Sequence, residues 1–288
     1  MVARQGAVSV VMASHGASRG WASNVGAAYG RTVRYARAMI RRPLCILALT
    51  AAFANGAVAQ DVQPMAPPGI AADRFPKPDR PVAEIVSPAW ALEKRRNQAD
   101  EVGQVATLMG IREGQTVADV GAGNGYYVFR LAKRVGPTGR VLAEDITPDY
   151  LVDLDKRVRE SGQSNITVVR GDAHDPRLPP ASLDVAVLVH MYHEISQPYG
   201  LLHNLATAMK PGGWVGIVDA DDIPSKHGTP PKLLRCELAA AGYREVSMKT
   251  LKGGVGYLAI FEPPSPEARP DPATITPCKD ETTRKKAR

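Results

Sequence analysis

Val-Ala-Asp-Val-Gly-Ala-Gly-Asn-Gly, residues 117–125, sets the architecture expected for this 288-residue chain. Its first half is a short apolar run holding one acid, Asp119, which is typical of a buried strand. Residues 126–135 follow with apolar side chains three and four positions apart, as on one helix face. Three alternate glycines separate the two patterns. The stretch therefore predicts a strand, a glycine loop and a helix whose N-terminal N–H groups face a ligand.

The spacing of the glycines indicates the class of ligand. Dinucleotide-binding loops follow the pattern Gly-x-Gly-x-x-Gly. Here Gly121, Gly123 and Gly125 alternate, and Tyr126 stands where the last dinucleotide glycine is needed. This spacing argues against a nicotinamide or flavin dinucleotide, and so against a dinucleotide-dependent oxidoreductase. A strand, an acid and this spacing together resemble the first motif of class I S-adenosylmethionine-dependent methyltransferases.

Predicted strands and helices alternate along the chain after this loop and end in an antiparallel pair. The strands are expected at residues 116–120, 140–146, 165–169, 183–189, 214–219, 246–251 and 255–261, with the helix behind the loop at 124–135. Such alternation predicts an α/β fold, with a mostly parallel sheet and helices on both faces. Over residues 87–262 it resembles the class I methyltransferase domain, which implies the sheet order 3-2-1-4-5-7-6 with strand 7 antiparallel.

Further stretches carry this resemblance. Asp145 matches the ribose-binding acid after strand 2, with Glu144 as the alternative if the register slips by one. Residues 171–173 match the loop after strand 3, and residues 178–184 and 209–214 match the approaches to strands 4 and 5.

The resemblance implies S-adenosyl-L-methionine as cofactor. The glycine loop would bind its carboxylate end, Asp119 its amino end, Asp145 its ribose and Asp172 its adenine. The implied cofactor-binding residues are Asp119, Gly121, Gly123, Gly125, Asp145, Asp172, Ala173 and His190.

Two histidines follow strand 4, at the sheet edge where ligands of α/β folds bind. His193 is the candidate general base, with Glu194 beside it as an orienting partner. The alternative is that both His190 and His193 line the cofactor pocket. A metal cluster with the acids at 219, 221 and 222 would require several loops to converge, and the sequence predicts no metal.

The charge balance bears on the methyl acceptor. The chain carries a formal charge of +7, but residues 1–60 hold seven arginines and no acid, so the remainder is neutral. A neutral domain argues against nucleic acid as a partner. We therefore expect methyl transfer to an unidentified small molecule, although a lipid-like quinol and a protein side chain stay open. The alternative is a non-catalytic nucleoside or metabolite binding protein on the same scaffold. The sequence leaves the oligomeric state unknown.

Residues 1–59 form a predicted leader. Within it, residues 39–59 combine a basic start, an apolar run and small residues at a cleavage spacing, as signal peptides do. This pattern favours translation from Met39, with residues 1–38 not translated; an organelle transit peptide is the alternative. The apolar run is shorter than the about 20 residues of a membrane span. We expect an exported, periplasmic protein without a stable span after cleavage, or a cytoplasmic one if the leader is not functional.

Three further expectations concern the rest of the chain. Residues 60–86 are predicted to be an irregular, exposed linker and residues 263–288 a disordered tail. A charged group at positions 95, 96, 100 and 101 is predicted to be solvated surface on one or two helices over the glycine loop. The cysteines, Cys45, Cys236 and Cys278, form no Cys-x-x-Cys pair, so neither a zinc site nor a disulfide framework is expected.

Overall fold

Seven strands form a single sheet in the computed structural model. The structure describes residues 61–86 and 90–280, except for the side chains of residues 90–92. The strands are β1 (Thr116–Val120), β2 (Arg140–Asp145), β3 (Ile166–Arg170), β4 (Leu183–Val189), β5 (Met209–Asp219), β6 (Arg244–Thr250) and β7 (Tyr257–Glu262). Their order is β3-β2-β1-β4-β5-β7-β6, and β7 runs antiparallel to both neighbours. The predicted sheet order and fold class are thereby confirmed.

Among the described residues, six α-helices accompany the sheet, and side chains alternate between its two faces. The helices are α1 (Trp90–Gln98), α2 (Glu101–Leu108), α3 (Val128–Val135), α4 (Pro148–Ser161), α5 (Pro198–Ala208) and α6 (Pro231–Ala240). Along β1, Val117 packs in the core formed with α2, α3 and α4, whereas Ala118 and Val120 pack in the core formed with α5 and α6. Both faces of β1 are therefore buried, which explains its nearly continuous apolar run.

Two element boundaries differ from the sequence-based expectation. Helix α3 begins at Val128 rather than at position 124, because Gly125 has a φ of 81°, which no α-helix accommodates. Strand β5 begins at Met209, which pairs with Leu183, and its next partner pair is Trp214 with Val185. Residues 210–213 bulge out between these pairs, so the predicted Lys-Pro-Gly-Gly turn lies inside the strand.

Residues 61–86 contain one short 3-10 helix, Ala72–Arg74, and are otherwise irregular and mostly exposed, as expected, but two buried residues anchor the segment to the domain. Phe75 and Arg80 are buried. The guanidinium of Arg80 forms an ion pair of 2.9 Å with Glu237 on α6, and both side chains are fully buried. This buried ion pair anchors the segment to α6. The composition of the segment, rich in Pro and Asp, does not reveal such a contact.

The C-terminal segment is also ordered as far as residue 280. A disulfide joins Cys236 on α6 to Cys278, across a sequence separation of 42. The backbone N–H of Cys278 donates to the hydroxyl of Tyr199, and Ile275 is buried beside it. The prediction of a disordered tail was therefore wrong as far as residue 280, and the disulfide was not predicted. Cysteines so far apart carry no local spacing signal, and only the fold brings them together.

The predicted leader, its start at Met39 and its cleavage site lie outside the described residues, as do residues 281–288. In the part of the chain that the structure describes, no helix is both long enough and apolar enough to cross a membrane.

Candidate cofactor and acceptor site

A cavity of about 680 Å³ opens at the carboxyl ends of β1, β2 and β4. This size lies within the roughly 300–1,000 Å³ typical of small-molecule sites. Its lining includes the predicted site residues Asp119, Gly121, Gly123, Asp145, Asp172, Ala173, His190 and His193. Gly125 is not in this lining. A Cβ at Gly125 would lie 2.5 Å from Leu154, so this glycine lets the loop pass against α4.

The glycine loop approaches the cavity through backbone geometry that only glycine adopts easily. Gly121 and Gly123 have φ values of 73° and 51°. A Cβ at Gly121 would also lie 2.9 Å from the side chain of Met191. The N–H of Gly123 donates to Oδ2 of Asp145 at 2.8 Å, which ties the loop to the end of β2.

Three buried carboxyl groups lie at the neighbouring ends of β1 and β2. Asp119, Glu144 and Asp145 are 3%, 2% and 6% exposed. Burial, together with the charge of Asp145, raises the pKa of Asp119 to about 7 against the opposing effect of Arg96. Burial also raises the pKa of Glu144 well above its ordinary value, again with Asp145 contributing. We call the surface formed by Asp119, Glu144, Asp145 and the glycine loop the carboxyl wall. Because additional negative charge is unfavourable there, a cationic ligand would complement it.

Asp145 and Glu144, the two candidate acids of β2, differ in their hydrogen bonds. The oxygens of Asp145 accept from the N–H groups of Gly123 and Thr147, both at 2.8 Å. A carboxylate oxygen has a second lone pair, so Asp145 keeps acceptor capacity while its orientation is fixed. Oε1 of Glu144 is buried and accepts no hydrogen bond from any residue that the structure describes. A ligand hydroxyl could donate to Asp145, whereas Oε1 of Glu144 is enclosed beside Gly171.

The loop after β3 forms another edge of the cavity. Asp172 pairs with Arg177 at 2.8 Å, and its side chain is 42% exposed. A Cβ at Gly171 would lie 1.8 Å from Oε1 of Glu144, so only glycine fits beside that acid. The motif at 171–173 therefore adjoins the carboxyl wall, although sequence reasoning did not predict this contact.

Part of the charged group at the start of α2 is buried. Glu101 is fully buried and accepts from Arg96 at 3.0 Å and from the hydroxyl of Tyr127 at 2.9 Å. Its Oε2 lies 3.1 Å from Nε2 of His190. Burial alone would raise the pKa of Glu101. The hydrogen bonds and charges of His190 and Arg96 outweigh burial, so the pKa of Glu101 is lowered. Arg96 and Glu101 line the cavity, so the prediction of solvated surface was wrong for them.

His193 is held by a carboxylate on β5. Its Nδ1 lies 3.0 Å and 3.1 Å from the two oxygens of Asp219, which is fully buried. The hydroxyl of Thr229 donates to the same carboxylate at 2.7 Å. Because a carboxylate only accepts, Nδ1 carries the proton in the neutral tautomer of His193, and the lone pair of that tautomer is on Nε2.

The partner that orients His193 is therefore Asp219. The sequence suggested Glu194 for this role. Oε1 of Glu194 lies 3.9 Å from the other ring nitrogen, Nε2. Asp219 ends β5 at the same sheet edge, and this placement was the available signal for the pairing. Thr229 carried no signal in the sequence.

Residues 79–86 hold the short turn that carries His193. Arg80 donates to the carbonyl oxygens of Tyr192 and Ile195 at 3.3 Å and 3.4 Å. The N–H of Ala83 donates to the carbonyl of His193, and the N–H of Val86 to Oε1 of Glu194. The tail in turn holds this segment, since the N–H of Asp280 donates to the carbonyl of Asp79. Sequence reasoning missed this support, because its contacts span more than 100 residues.

His227 is a further cavity residue that the sequence did not single out. It has a φ of 56°, in the left-handed region that few non-glycine residues adopt. Its ring centroid lies 5.5 Å from that of His193, edge to face. The site thus combines the carboxyl wall with a second surface formed by His193, Asp219 and His227. We call this second surface the histidine wall.

Comparison with known proteins places this cavity in a family context. Residues 117–213 match a family model described as a methyltransferase domain. Two curated relatives, both named ubiquinone/menaquinone biosynthesis C-methyltransferase UbiE, come from Ectopseudomonas mendocina and Pseudomonas fluorescens. The first is 29% identical over 43% of this chain and 47% of its own, and the second 29% over 39% and 44%. The chain spans about half the length of these relatives.

One solved structure has a similar fold over a large part of the chain. It is a SAM-dependent methyltransferase from Aquifex aeolicus, with a TM-score of 0.52 and 24% identity. The similarity covers 59% of this chain and 96% of that one, and at this identity it supports the fold alone.

Proposed function

Since the chain belongs, through its methyltransferase domain, to the class I S-adenosylmethionine-dependent methyltransferases, we propose that it methylates a small molecule bearing an ionisable hydroxyl group. One observation carries this proposal: a single cavity is lined by the glycine loop with its three buried carboxyl groups and by the His193–Asp219 pair. The first wall suits a cationic nucleoside and the second suits an acidic acceptor.

The residues of the carboxyl wall fit the family's cofactor. When bound, S-adenosylmethionine supplies an electrophilic methyl group on a positively charged sulfonium. In this proposal Asp119 binds its amino group. The N–H groups of residues 121–123 already donate to Glu144 and Asp145, so the glycine loop contributes a close backbone approach and not the carboxylate site expected from the sequence. Asp145, with Glu144 beside it, accepts from the ribose hydroxyls, and Asp172 accepts from the adenine amino group. The buried and partly unsatisfied carboxyl groups support these roles, because a cation with several donors offsets their unfavourable burial.

His193 is the proposed proton acceptor on the opposite wall. Its Nε2 lone pair is available because Nδ1 donates to Asp219, and the buried carboxylate would stabilise an imidazolium. Removing a hydroxyl proton makes that oxygen, or an aromatic carbon conjugated with it, nucleophilic. Apolar side chains at Ile85, Val86 and Ile195 also line the cavity, which favours an acceptor with an apolar body. The names of the curated relatives refer to quinone biosynthesis, so a quinol-like molecule belongs to this class.

Export from the cytosol is a second part of the proposal. The signal-like pattern at 39–59 supports it, and so does the Cys236–Cys278 disulfide, because cytosolic reductants keep most thiols reduced. The cofactor is a cytosolic metabolite, so an exported enzyme would need a route to it. N-terminal sequencing of the cell-derived protein tests this part: a start near Gln60 supports export, and an intact leader contradicts it.

The first test of function is calorimetric titration of the purified chain with S-adenosylmethionine, S-adenosylhomocysteine and NADH. We expect micromolar binding of the two adenosyl ligands and none of NADH. No binding of either adenosyl ligand would instead support the reading of a scaffold reused for another metabolite.

Two glycine variants make this titration specific to the cavity. Gly121 and Gly212 have similar φ values of 73° and 77°, so alanine strains both backbones alike. Only the first lines the cavity, and a Cβ at Gly212 meets no atom within 4 Å. Gly121→Ala should weaken S-adenosylhomocysteine binding by about tenfold or more, and Gly212→Ala should leave it unchanged. Equal affinities would place the ligand elsewhere.

A further inference from the structure

Three side chains able to bind a metal ion meet on the histidine wall of the cavity. Their candidate ligand atoms, one each from His193, Glu194 and His227, all lie within 4.8 Å of one another. We infer that these residues form a binding site for a divalent transition-metal ion on the acceptor side of the cavity. This inference rests on the proposed function for the role of the ion, and it makes His193 a metal ligand in place of the proton acceptor.

The donor set is one that transition metals use. Two imidazole nitrogens and one carboxylate oxygen hold catalytic zinc with a coordination position left open, and similar sets hold iron(II). Ligand atoms of a tetrahedral zinc ion are roughly 3.4 Å apart. Nε2 of His193 and Oε1 of Glu194 are 3.9 Å apart, and all three ligand atoms lie within 4.8 Å of one another. Binding an ion would therefore require ligand pairs to approach by up to about 1.4 Å.

The surroundings of His193 fit a metal ligand. Metal-bound histidines commonly donate their second ring N–H to a carboxylate, which fixes the tautomer and the ring orientation. Here Nδ1 faces the buried carboxylate of Asp219, and Thr229 donates to that carboxylate in turn. The nitrogen nearer to Glu194 is Nε2, which in this tautomer carries the lone pair that can coordinate.

The loop that carries His227 provides an independent observation. His227 adopts a left-handed φ of 56°, a costly conformation for a residue with a side chain. Gly228 follows it, and a Cβ there would lie 2.8 Å from the carbonyl of Ala220. The loop is therefore pressed against the end of β5, next to the His193 turn. His227 is exposed, which gives an ion access from solvent.

This set differs from the cluster considered from the sequence. His190 is engaged with Glu101 instead, and Asp219 lies behind His193 on the nitrogen that faces away from the site. Asp222 lies 3.8 Å from Lys226. Of the histidines and acids considered from the sequence, only His193 belongs to the inferred metal site.

A bound ion would change how the acceptor loses its proton. With Nε2 of His193 holding the ion, an acceptor hydroxyl in the open position has a lowered pKa and gives its proton to water. The freed electron pair forms the new bond to the methyl carbon while the carbon–sulfur bond breaks with its pair going to sulfur. No oxidant or reductant is needed.

Metal titration of the untagged, chelator-treated full chain tests the site. Cobalt(II) reports through its visible absorption and zinc through calorimetry. We expect one equivalent to bind, and His227→Ala to weaken binding by at least about tenfold, as loss of a ligand should. His174→Ala is the matched control, because His174 is a partly buried histidine outside the cavity lining. His227 is exposed, so its replacement should leave the thermal unfolding midpoint unchanged.

The outcomes separate this inference from the function beneath it. Absence of stoichiometric binding, or equal metal affinities of His227→Ala and His174→Ala, overturns the metal site. S-Adenosylhomocysteine is titrated into the same samples without metal. If it binds while metal does not, only the metal site fails; if it does not bind, the proposed function fails whatever the metal does.

Discussion

The two walls of the cavity are built in different ways. The carboxyl wall comes from the ends of adjacent parallel strands, where Asp119 pairs in register with Ala143 and the glycine loop bonds to Asp145. The histidine wall comes from the turn after β4, the end of β5 and the loop beyond it. It is held by residues 79–86, which themselves contact α6 and the C-terminal segment.

This difference predicts that the walls can be damaged separately. Strand register places the carboxyl wall, and the sheet core supports that register from both faces. The histidine wall instead depends on contacts such as Arg80 with Glu237, which are 157 residues apart in sequence. Substitutions on the first wall should change cofactor affinity, whereas those on the second should change turnover or the order of the flanking segments.

Replacing His193 by alanine should separate the walls most clearly. Turnover should fall by about 10²–10⁴-fold, because a positioned proton acceptor contributes on that order. Affinity for S-adenosylhomocysteine should stay within about twofold, which calorimetry can measure. Turnover is followed as S-adenosylhomocysteine release with a panel of phenols and quinols. If the variant loses cofactor binding, His193 belongs to the cofactor wall instead.

Removing the disulfide should weaken the support of the histidine wall. Closing a loop of this size lowers the entropy of the unfolded chain. In the chain-entropy account this raises the free energy of unfolding by about 4 kcal/mol. The double variant Cys236→Ala, Cys278→Ala should lose stability of this order in urea unfolding. Reduction of the wild type should reproduce the loss, and Cys45→Ala should not. An unchanged midpoint in the double variant would show that other contacts hold the tail.

Replacing Asp145 by alanine tests the carboxyl wall. Loss of a charged acceptor for the ribose should weaken S-adenosylhomocysteine binding by about 2 kcal/mol, or about 30-fold. Asp149→Ala is the control, since this acid is exposed in the first turn of α4. Turnover at saturating cofactor should be largely retained. Equal affinities of the two variants would refute the ribose assignment.

The pH dependence of cofactor binding should report on Asp119. Burial raises its pKa to about 7, so the group holds a proton below that pH, and binding of a cation favours the ionised form. Affinity should therefore rise with pH below about 7, by up to about tenfold per unit, and level off above it. Asp119→Asn should flatten this rise in calorimetric titrations between pH 5.5 and 8.5. A rise that persists in the variant would assign it to another group.

The parts of the molecule that were predicted correctly are those built from neighbours in sequence. The strand at 116–120, the loop and the acid ending β2 were each recognised from a short local pattern. The alternation of strands and helices predicted the α/β class, and the resemblance to the class I methyltransferases implied the sheet order. The predicted boundary of α3 was four residues early, because helix periodicity extends back into the turn at Gly125. The burial of Glu101 was missed, since its partners Tyr127 and His190 come from other elements.

The amino-acid pattern was sufficient for the fold class and the carboxyl wall, because strand period, glycine spacing and strand-end acids act over a few residues. It was insufficient for the Asp219 partner of His193, the place of His227, the Cys236–Cys278 disulfide and the ordered tail. Those features are pairings between distant segments. Their energies depend on burial and distance in the folded chain, and neither quantity has a local signature in the sequence.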